Sequence, residues 1–221
     1  MSRIRHALIM AAGRGSRMMP LTDVIPKPMA PYKGSTLIAE GIDSISKRIP
    51  TIHITIGYKK AMLAKHVIEK GAATVLNTEG KPNCWWIYNT LIKHLDEPIY
   101  VLTCDNVVEL DFDLLEECYQ GDGEPACMLI PVRSVEGLDG DYIFHDECVV
   151  TKLSRAERSD IYCSGIQILN PARINKLTNE SKDFYGVWNQ LITQRELMVS
   201  KNYPKAWFTV DTLDNLKELN C

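Results

Sequence analysis

The chain has 221 residues, of which 45% are hydrophobic and 24% are charged, and its formal net charge is −3 at pH 7. This composition excludes a disordered tail, a coiled coil and a collagen-like repeat. The slightly acidic balance argues against a nucleic-acid-binding protein, which usually presents a basic face. We expect a soluble globular protein, and the length suits a single domain spanning residues 1–221.

The sequence gives no sign of export or membrane insertion. Its longest clean apolar run near the N-terminus covers residues 7–12, whereas a membrane span needs about 20 residues. The run is also too short for a secretory signal. The seven cysteines are an odd number and include no Cys-x-x-Cys pair, which indicates reduced thiols. We therefore expect a cytoplasmic location.

Predicted strands and helices alternate through the first half of the chain. The isoleucines from Ile38 to Ile49 recur every three or four residues, which predicts a helix with one apolar face. Short β-branched runs, such as residues 51–56, predict strands. The alternation predicts a parallel sheet with helices on both faces. The predicted elements are strands over 4–10, 51–56, 73–76 and 99–103 and helices over 38–49, 59–70 and 87–95.

The second half is less regular and predicts an inserted β-rich lobe over about residues 133–170. A turn at Gly137–Gly140 and two short runs after it are typical of a hairpin. Asn170 and Pro171 mark the start of a helix. We expect an α/β fold with a Rossmann-like mixed, mostly parallel sheet, helices on both faces and this small lobe. The remaining elements are strands over 126–132, 142–144, 149–153, 161–169 and 207–210 and helices from about 183 and over 212–219.

A glycine loop follows the first predicted strand. Gly13 and Gly15 allow the backbone to adopt positive φ and to approach an anion closely, and successive backbone N–H groups in such a turn form an anion site. Arg14 and Arg17 add positive charge in a geometry suited to phosphate. The loop lacks the third glycine of a dinucleotide fingerprint, and the chain lacks the Gly-Lys-Ser/Thr order of a Walker motif.

The loop continues through Pro20-Leu21-Thr22 to Pro26-Lys27-Pro28. The whole pattern resembles the opening of the sugar-phosphate nucleotidyltransferase superfamily. That resemblance implies transfer of a nucleotidyl group from a nucleoside triphosphate to a phosphorylated acceptor, with release of pyrophosphate. It implies catalytic roles for Arg17 and Lys27. The nucleotide-binding residues that it implies are Ala11, Ala12, Gly13, Arg14, Gly15, Ser16, Gly57, Tyr58 and Asn83.

Three later segments are similar to the CTP:phosphocholine cytidylyltransferase branch of this superfamily: Asn83-Cys-Trp-Trp86, Ser164-Gly165 and Tyr185-Gly-Val-Trp188-Asn189. The similarity implies CTP and a small non-sugar acceptor, such as a phosphocholine-like compound, a phosphonate or a phosphorylated amino acid or amide. The branch has a second asparagine where this chain has Cys84. A sugar-1-phosphate nucleotidyltransferase, with another nucleoside triphosphate, and a non-catalytic nucleotide-sensing domain are the alternatives.

Two aspartates follow predicted strands. Asp105 ends a buried apolar strand, and Asp211 follows the last strand. In open α/β sheets, ligands gather at the carboxyl ends of the strands, and carboxylates suit Mg²⁺, which we expect as the cofactor. The resemblance assigns both residues to this metal. As alternatives, Asp105 and Asn106 form only a turn, and Asp211 only caps the last helix.

Aromatic side chains are the candidates for contact with the acceptor. A quaternary ammonium binds aromatic faces, so Trp85, Trp86 and Trp188 are candidate contacts, although core packing explains any of them at least as well. Trp188 lies on the apolar face of its predicted helix, which favours core packing for this residue. Arg155 stands near the position where sugar-type relatives place a lysine for the acceptor phosphate, and Arg158 is the competing candidate. The expected partners are thus a nucleoside triphosphate and a phosphorylated small molecule, and a homo-oligomer is possible.

Overall fold

The computed structural model describes residues 3–135 and 140–220, so most of the turn expected at Gly137–Gly140 lies outside the described residues. The chain divides into two compact units. The loop unit contains residues 5–81, 102–108 and 206–220, and the hairpin unit contains residues 3–4, 82–101, 109–135 and 140–205. The expectation of one domain stays a prediction.

The strands and helices have the following bounds in chain order. The strands are β1 (His6–Ala11), β2 (Pro31–Tyr32), β3 (Ser35–Thr36), β4 (Thr51–Ile56), β5 (Thr74–Asn77), β6 (Ile99–Thr103), β7 (Asn106–Glu109), β8 (Cys127–Arg133), β9 (Tyr142–Asp146), β10 (Val149–Ser154), β11 (Ile161–Leu169), β12 (Leu197–Val199) and β13 (Ala206–Thr209). The α-helices are α1 (Leu21–Val24), α2 (Leu37–Ser46), α3 (Lys60–Glu69), α4 (Trp85–Asn89), α5 (Phe112–Gly121), α6 (Pro171–Leu177), α7 (Phe184–Thr193) and α8 (Leu213–Leu219).

The loop unit contains parallel strands in the order β5-β4-β1, and residues 102–103 at the end of β6 also belong to it. Ala7 of β1 lies opposite Ile52 of β4, in parallel register, and β4 also pairs in parallel with β5. In α2, the predicted apolar face is confirmed, since Ile38, Ile42 and Ile45 are all buried. Parallel strands end at the same edge, so the segments that follow β1 and β4 meet there. Cys104, directly after β6, lies at the same edge, because its N donates to Met10 O at 3.1 Å.

A second apolar cluster of the loop unit fixes the segments at this edge. Met18, Tyr32, Leu37 and Val210 are buried together, with Leu216 of α8 beside them. Met18 belongs to the glycine loop, whereas Val210 follows β13. Because both side chains are buried in one cluster, residues almost 200 positions apart in the sequence are held next to each other.

The hairpin unit is mostly antiparallel, with strands in the order β6-β11-β8-β12-β10-β9. β9 and β10 form the expected hairpin, within the predicted lobe. β11 pairs antiparallel with β8, and the register shifts between Cys163 and Ile166. The predicted cap is confirmed, since Asn170 accepts a hydrogen bond from Arg173 N at the start of α6. The helix expected from about residue 183 is α7, and the structure shows Asp183 as its cap.

The expected α/β class with a mixed sheet is confirmed, and the structure adds elements that were not predicted. These are β7, β12 and α5, besides the two-residue strands β2 and β3 and the short helix α1. Helix α5 had a recognisable signal, because Asp111 caps it by accepting from Leu114 N, and Leu115 and Tyr119 recur at helical spacing and are buried. Every helix in the described residues is too short or too polar to cross a membrane.

Candidate active site

The glycine loop is tied to β4 where β1 ends. Ala11 N donates to Thr55 Oγ1 at 3.1 Å, and Ala12 O accepts from Tyr58 N at 3.1 Å. Gly57 is necessary for this approach, because a Cβ atom there would lie 2.5 Å from Ala12 O. The start of the loop is therefore fixed by its neighbour in the sheet.

Within the loop, the two glycines differ. Gly15 has φ of +68°, and a Cβ atom there would lie 2.6 Å from Lys27 Cβ. Gly13 has no such crowding, since a Cβ atom there would meet nothing within 4 Å. The aliphatic stem of Lys27 thus packs against the bare backbone of Gly15. Of the two glycines expected to adopt positive φ, Gly15 does so. Its carbonyl also accepts a hydrogen bond from Thr22 Oγ1 at 3.0 Å.

Lys27 lies between the two predicted metal-binding carboxylates. Its Nζ is 2.8 Å from Asp105 Oδ2 and 2.9 Å from Asp211 Oδ1, and only 10% of its side chain is exposed. Burial pulls the pKa of Lys27 down, but attraction to Asp105 and hydrogen bonds to both aspartates outweigh this effect and leave the pKa raised. The side chain is therefore a permanent cation at neutral pH.

The fold explains how these charges converge. β7 and β13 pair in a two-stranded sheet, and Val210 N donates to Asp105 O at 2.9 Å. This contact places Asp105 beside Asp211, the residue after Val210. Arg17, next to the buried Met18, contacts Asp211 Oδ1 through NH2 at 2.9 Å. Two cations and two carboxylates therefore form one network in the loop unit.

Neither aspartate is only a helix cap or a turn residue. Thr212, not Asp211, caps α8: its side chain accepts from Asn215 N, and the Asn215 side chain accepts in return from the Thr212 backbone. The carboxylate of Asp211 is thus directed to Lys27 and Arg17 instead. Asp105 does lie in a turn, between β6 and β7, but its carboxylate also belongs to the charged network.

The donor set fits a divalent cation. One cationic atom, Lys27 Nζ, already contacts both carboxylates, so their oxygens converge on one positively charged point. The described residues contain no cluster of three or more acidic, histidine or cysteine side chains that could hold a metal. Asp105 and Asp211 can therefore supply two ligands, and Mg²⁺ usually completes its shell with waters and substrate phosphates.

The structure brings most of the predicted nucleotide-binding residues together. Residues 11–16, Gly57 and Tyr58 all lie at the edge of the loop unit where β1 and β4 end. Arg14 and Ser16 are exposed there. Asn83 is the exception, because it belongs to the hairpin unit, where its Oδ1 accepts from Phe184 N at 3.2 Å.

Two of the four predicted acceptor contacts are core residues of the hairpin unit. Trp86 is only 1% exposed, and its ring lies 6.4 Å from that of Phe184. Trp188 is 8% exposed, and its Nε1 donates to Gln167 Oε1 at 2.9 Å. Such burial does not fit direct contact with an acceptor, and core packing explains both side chains.

The other two candidates are accessible. Trp85 opens the short helix α4 and is partly exposed. Arg155 is 62% exposed, and its Nε lies 2.6 Å from Asp141 Oδ1. Its guanidinium also stacks over Tyr185, 4.7 Å from the ring centroid. Arg155 and Trp85 are therefore the predicted acceptor residues that solvent can reach.

Sequence reasoning missed one charged residue beside the glycine loop. Lys59 Nζ lies 5.3 Å from the centroid of the Tyr58 ring, on the same aromatic side chain that Arg14 covers at 5.5 Å. The feature of the sequence that could have indicated Lys59 is the lysine pair that directly follows Gly57-Tyr58.

Comparison with known proteins defines the class. A family model described as nucleotidyl transferase matches residues 6–136, which is more than half of the chain. The chain therefore belongs to the nucleotidyl transferase family.

Similar proteins include a bifunctional protein and a mannose-1-phosphate guanyltransferase. The chain is 24% identical over 186 residues to the bifunctional protein GlmU of Methanococcus maripaludis, covering 84% of this chain and 42% of that protein. It is 24% identical over 209 residues to the mannose-1-phosphate guanyltransferase of Debaryomyces hansenii, covering 86% of this chain and 57% of that protein. The chain thus spans only about half the length of these relatives.

Among solved structures, the CTP:phosphocholine cytidylyltransferase LicC from Streptococcus pneumoniae is similar over 99% of this chain and 98% of that chain, with a TM-score of 0.77. The sequences are 19% identical, so the likeness shows a shared fold. It agrees with the α/β architecture expected from the sequence.

Proposed function

We propose that the protein is a cytidylyltransferase, which transfers CMP from CTP to a small phosphorylated non-sugar acceptor and releases pyrophosphate. The observation that supports this most strongly is the charged network of Arg17, Lys27, Asp105 and Asp211 beside the glycine loop. Backbone donors, cations and carboxylates at one sheet edge are the groups that a metal-bound triphosphate requires.

The glycine loop and Arg17 would hold the β- and γ-phosphates. Arg17 is 70% exposed, so its guanidinium can turn from Asp211 to a phosphate. Lys27 would contact the α-phosphate, where negative charge grows as the acceptor oxygen attacks. The Gly15 backbone against the Lys27 stem limits where the ammonium can move. Catalysis then consists of positioning and charge neutralisation.

The reaction needs no general base from the protein. The attacking oxygen belongs to a phosphate that is already ionised near neutral pH, and it forms a bond to the α-phosphorus as the bond to pyrophosphate breaks. The thiol of Cys104, next to Asp105, is not an alternative nucleophile, because burial raises its pKa far above neutrality.

Asp105 and Asp211 would hold Mg²⁺, with waters and phosphate oxygens as the other ligands. Bound there, the ion would supply charge neutralisation at the α-phosphate and orient it. The same two carboxylates now hold Lys27 Nζ. When the two carboxylates bind Mg²⁺ instead, the phosphates of the triphosphate would become the new anionic partners of Lys27 and Arg17.

The choice of CTP and of a non-sugar acceptor rests on the segment at Asn83–Trp86 and on the likeness to LicC. The second candidate is a sugar-1-phosphate nucleotidyltransferase, which GlmU and mannose-1-phosphate guanyltransferase favour among the similar sequences. In either case, the acceptor would be recognised by Trp85 and Arg155. A cytoplasmic location and a homo-oligomer stay predictions.

A pyrophosphate-release matrix tests this proposal. CTP, UTP, GTP, ATP and dTTP are each combined, with Mg²⁺, with phosphocholine, aminoethylphosphonate, phosphoserine, glucose 1-phosphate and mannose 1-phosphate. We expect the highest kcat/KM with CTP and a non-sugar, and loss of the signal in Asp105→Asn. Turnover restricted to a sugar 1-phosphate would select the second candidate. Absence of pyrophosphate from every pair would leave a non-catalytic, nucleotide-sensing domain.

A further inference from the structure

We infer that Lys59 is an additional binding residue for the polyphosphate tail, and that the ring of Tyr58 positions Lys59 and Arg14 as a cation pair that receives this tail. The inference rests on the proposed function, because it concerns the same triphosphate. It adds a residue outside the glycine loop and gives Tyr58 a role other than contact with the base.

Tyr58 is anchored to both ends of the glycine loop. Its backbone N donates to Ala12 O at 3.1 Å, where the loop begins. Its hydroxyl donates to Thr22 O at 2.9 Å, where the loop has passed into α1. Tyr58, which follows the end of β4, therefore joins both ends of the loop, and its aromatic ring has a fixed place beside the backbone proposed to bind phosphate.

Two cations share this ring. Arg14 Cζ lies 5.5 Å from the ring centroid and Lys59 Nζ lies 5.3 Å from it. Both distances are within the range of a cation–π contact. Because both distances refer to the same centroid, the two positive charges are no more than about 11 Å apart. Their mutual repulsion falls when an anion binds near both of them.

The cations of the loop unit differ in their partners. Lys27 and Arg17 are engaged by Asp105 and Asp211, whereas no ion pair joins Arg14 or Lys59 to a carboxylate within the part of the chain that the structure describes. The charge of Arg14 and Lys59 is thus uncompensated, and it attracts an incoming anion more strongly than a paired charge does. The tail would meet these two residues first.

Lys60 provides a matched control. It follows Lys59 directly and is a lysine too, but its Nζ lies 2.6 Å from Glu79 Oε2. Its side chain is 48% exposed, so its replacement should not disturb the core. A general effect of lowering the positive charge of this segment would appear equally in both variants, whereas a specific site would distinguish them.

Inorganic tripolyphosphate is the probe, because it presents the tail without base, ribose or acceptor. Its dissociation constant is measured by calorimetry, with Mg²⁺ present, for wild type, Lys59→Met, Lys59→Arg and Lys60→Met over a range of salt concentrations. We expect Lys59→Met to weaken binding about five- to tenfold and to reduce the salt dependence, as loss of one charge contact does. Lys59→Arg should bind as wild type, and Lys60→Met should stay within about twofold.

A second variant tests the role of the ring. Tyr58→Leu removes the aromatic face and the hydroxyl, and it should weaken tripolyphosphate binding at least as much as Lys59→Met, with thermal melting used to establish that the variant is folded. If Tyr58→Leu does not fold, Tyr58→Phe, which keeps the ring, should bind within about threefold of wild type.

The outcomes separate this inference from the proposed function. Equal affinities of wild type, Lys59→Met and Lys60→Met, with tight binding in all three, would overturn the role of Lys59 and leave the nucleotidyltransferase proposal intact. Equal weakening in both lysine variants would also overturn it, in favour of a diffuse charge effect. Failure of wild type to bind tripolyphosphate, with no pyrophosphate release from any substrate pair, would overturn both.

Discussion

The loop unit and the hairpin unit differ in how well their candidate residues converge. In the loop unit, four charged residues predicted from distant parts of the sequence form one hydrogen-bonded network. In the hairpin unit, two of the predicted tryptophans are buried at 1% and 8% exposure. Charged side chains are almost never buried without a partner, so their pattern points to a site. Tryptophans occur in cores and in binding pockets alike, so the pattern of tryptophans does not by itself indicate a site.

The largest expected effect concerns the core of the hairpin unit. Trp86→Ala should lower the free energy of unfolding by about 3–5 kcal/mol, because it removes a fully buried aromatic side chain. Trp85→Ala, at the partly exposed neighbour, should cost less than half as much. Urea denaturation measures both. A Trp86→Ala variant as stable as wild type, with a raised KM for the acceptor, would instead place Trp86 in the acceptor pocket.

The next effect concerns the network of the loop unit. Lys27→Met should lower turnover about 10²–10³-fold, because it removes a preorganised charge from the α-phosphate. Lys33→Met is the control, since Lys33 is exposed and lies over the ring of Tyr32, 5.1 Å from its centroid. Steady-state pyrophosphate release measures both variants. Near-wild-type turnover of Lys27→Met would remove this lysine from the reaction.

A histidine pair, in which His53 is buried, gives the loop unit a pH dependence. His6 Nδ1 lies 3.1 Å from His53 Nε2, and His53 Nδ1 lies 2.7 Å from Thr74 Oγ1. Burial, aided by the charge of His6, lowers the pKa of His53 from 6.5 to about 4. The unfolded chain therefore takes up a proton at higher pH than the folded chain does, so acid favours unfolding.

The free energy of unfolding should consequently fall by about 3 kcal/mol in total as the pH drops from about 6.5 to about 4. This amount is the free energy that corresponds to the lowered pKa of His53. Urea denaturation at a series of pH values measures this change. In His53→Gln the part of the slope between pH 6.5 and 4 that belongs to His53 should disappear. An unchanged slope in the variant would assign the acid sensitivity to other groups.

The smallest effect concerns acceptor recognition. Arg155→Ala should raise the KM for the acceptor about tenfold through loss of one charged contact. It should change stability little, because the ion pair with Asp141 is exposed on the arginine side. Arg158→Ala is the matched control. Equal KM values in the two variants would separate Arg155 from the acceptor.

The sequence predicted much of the fold because its signals were local. Strands β6 and β4 were placed correctly from β-branched and apolar runs. Asn170 marked the start of α6 as its cap, and the start of α7 was expected near Asp183. Strand β12 was missed because three residues carry no period. The Lys27 position between two carboxylates was also unpredictable, since it depends on long-range pairing of β7 with β13.

The site residues also divide into those predicted from a local sequence signal and those that depend on long-range packing. The loop motif predicted the cluster around Gly15 because it is contiguous in sequence. The role of Thr212 as the helix cap, which leaves Asp211 to the network, required the structure. Burial of Trp188 agrees with its place on the apolar face of the helix predicted from about residue 183. Burial of Trp86 depends on how α4 packs, and no pattern in the sequence distinguishes it from the more exposed Trp85.

A crystal structure of the protein with CTP and Mg²⁺ tests the central claim most directly. The account predicts that the triphosphate lies along residues 13–16, with Arg17 and Lys27 Nζ in contact with phosphate oxygens and the metal between Asp105 and Asp211. Nucleotide bound elsewhere, with Lys27 still held by both aspartates, would contradict it.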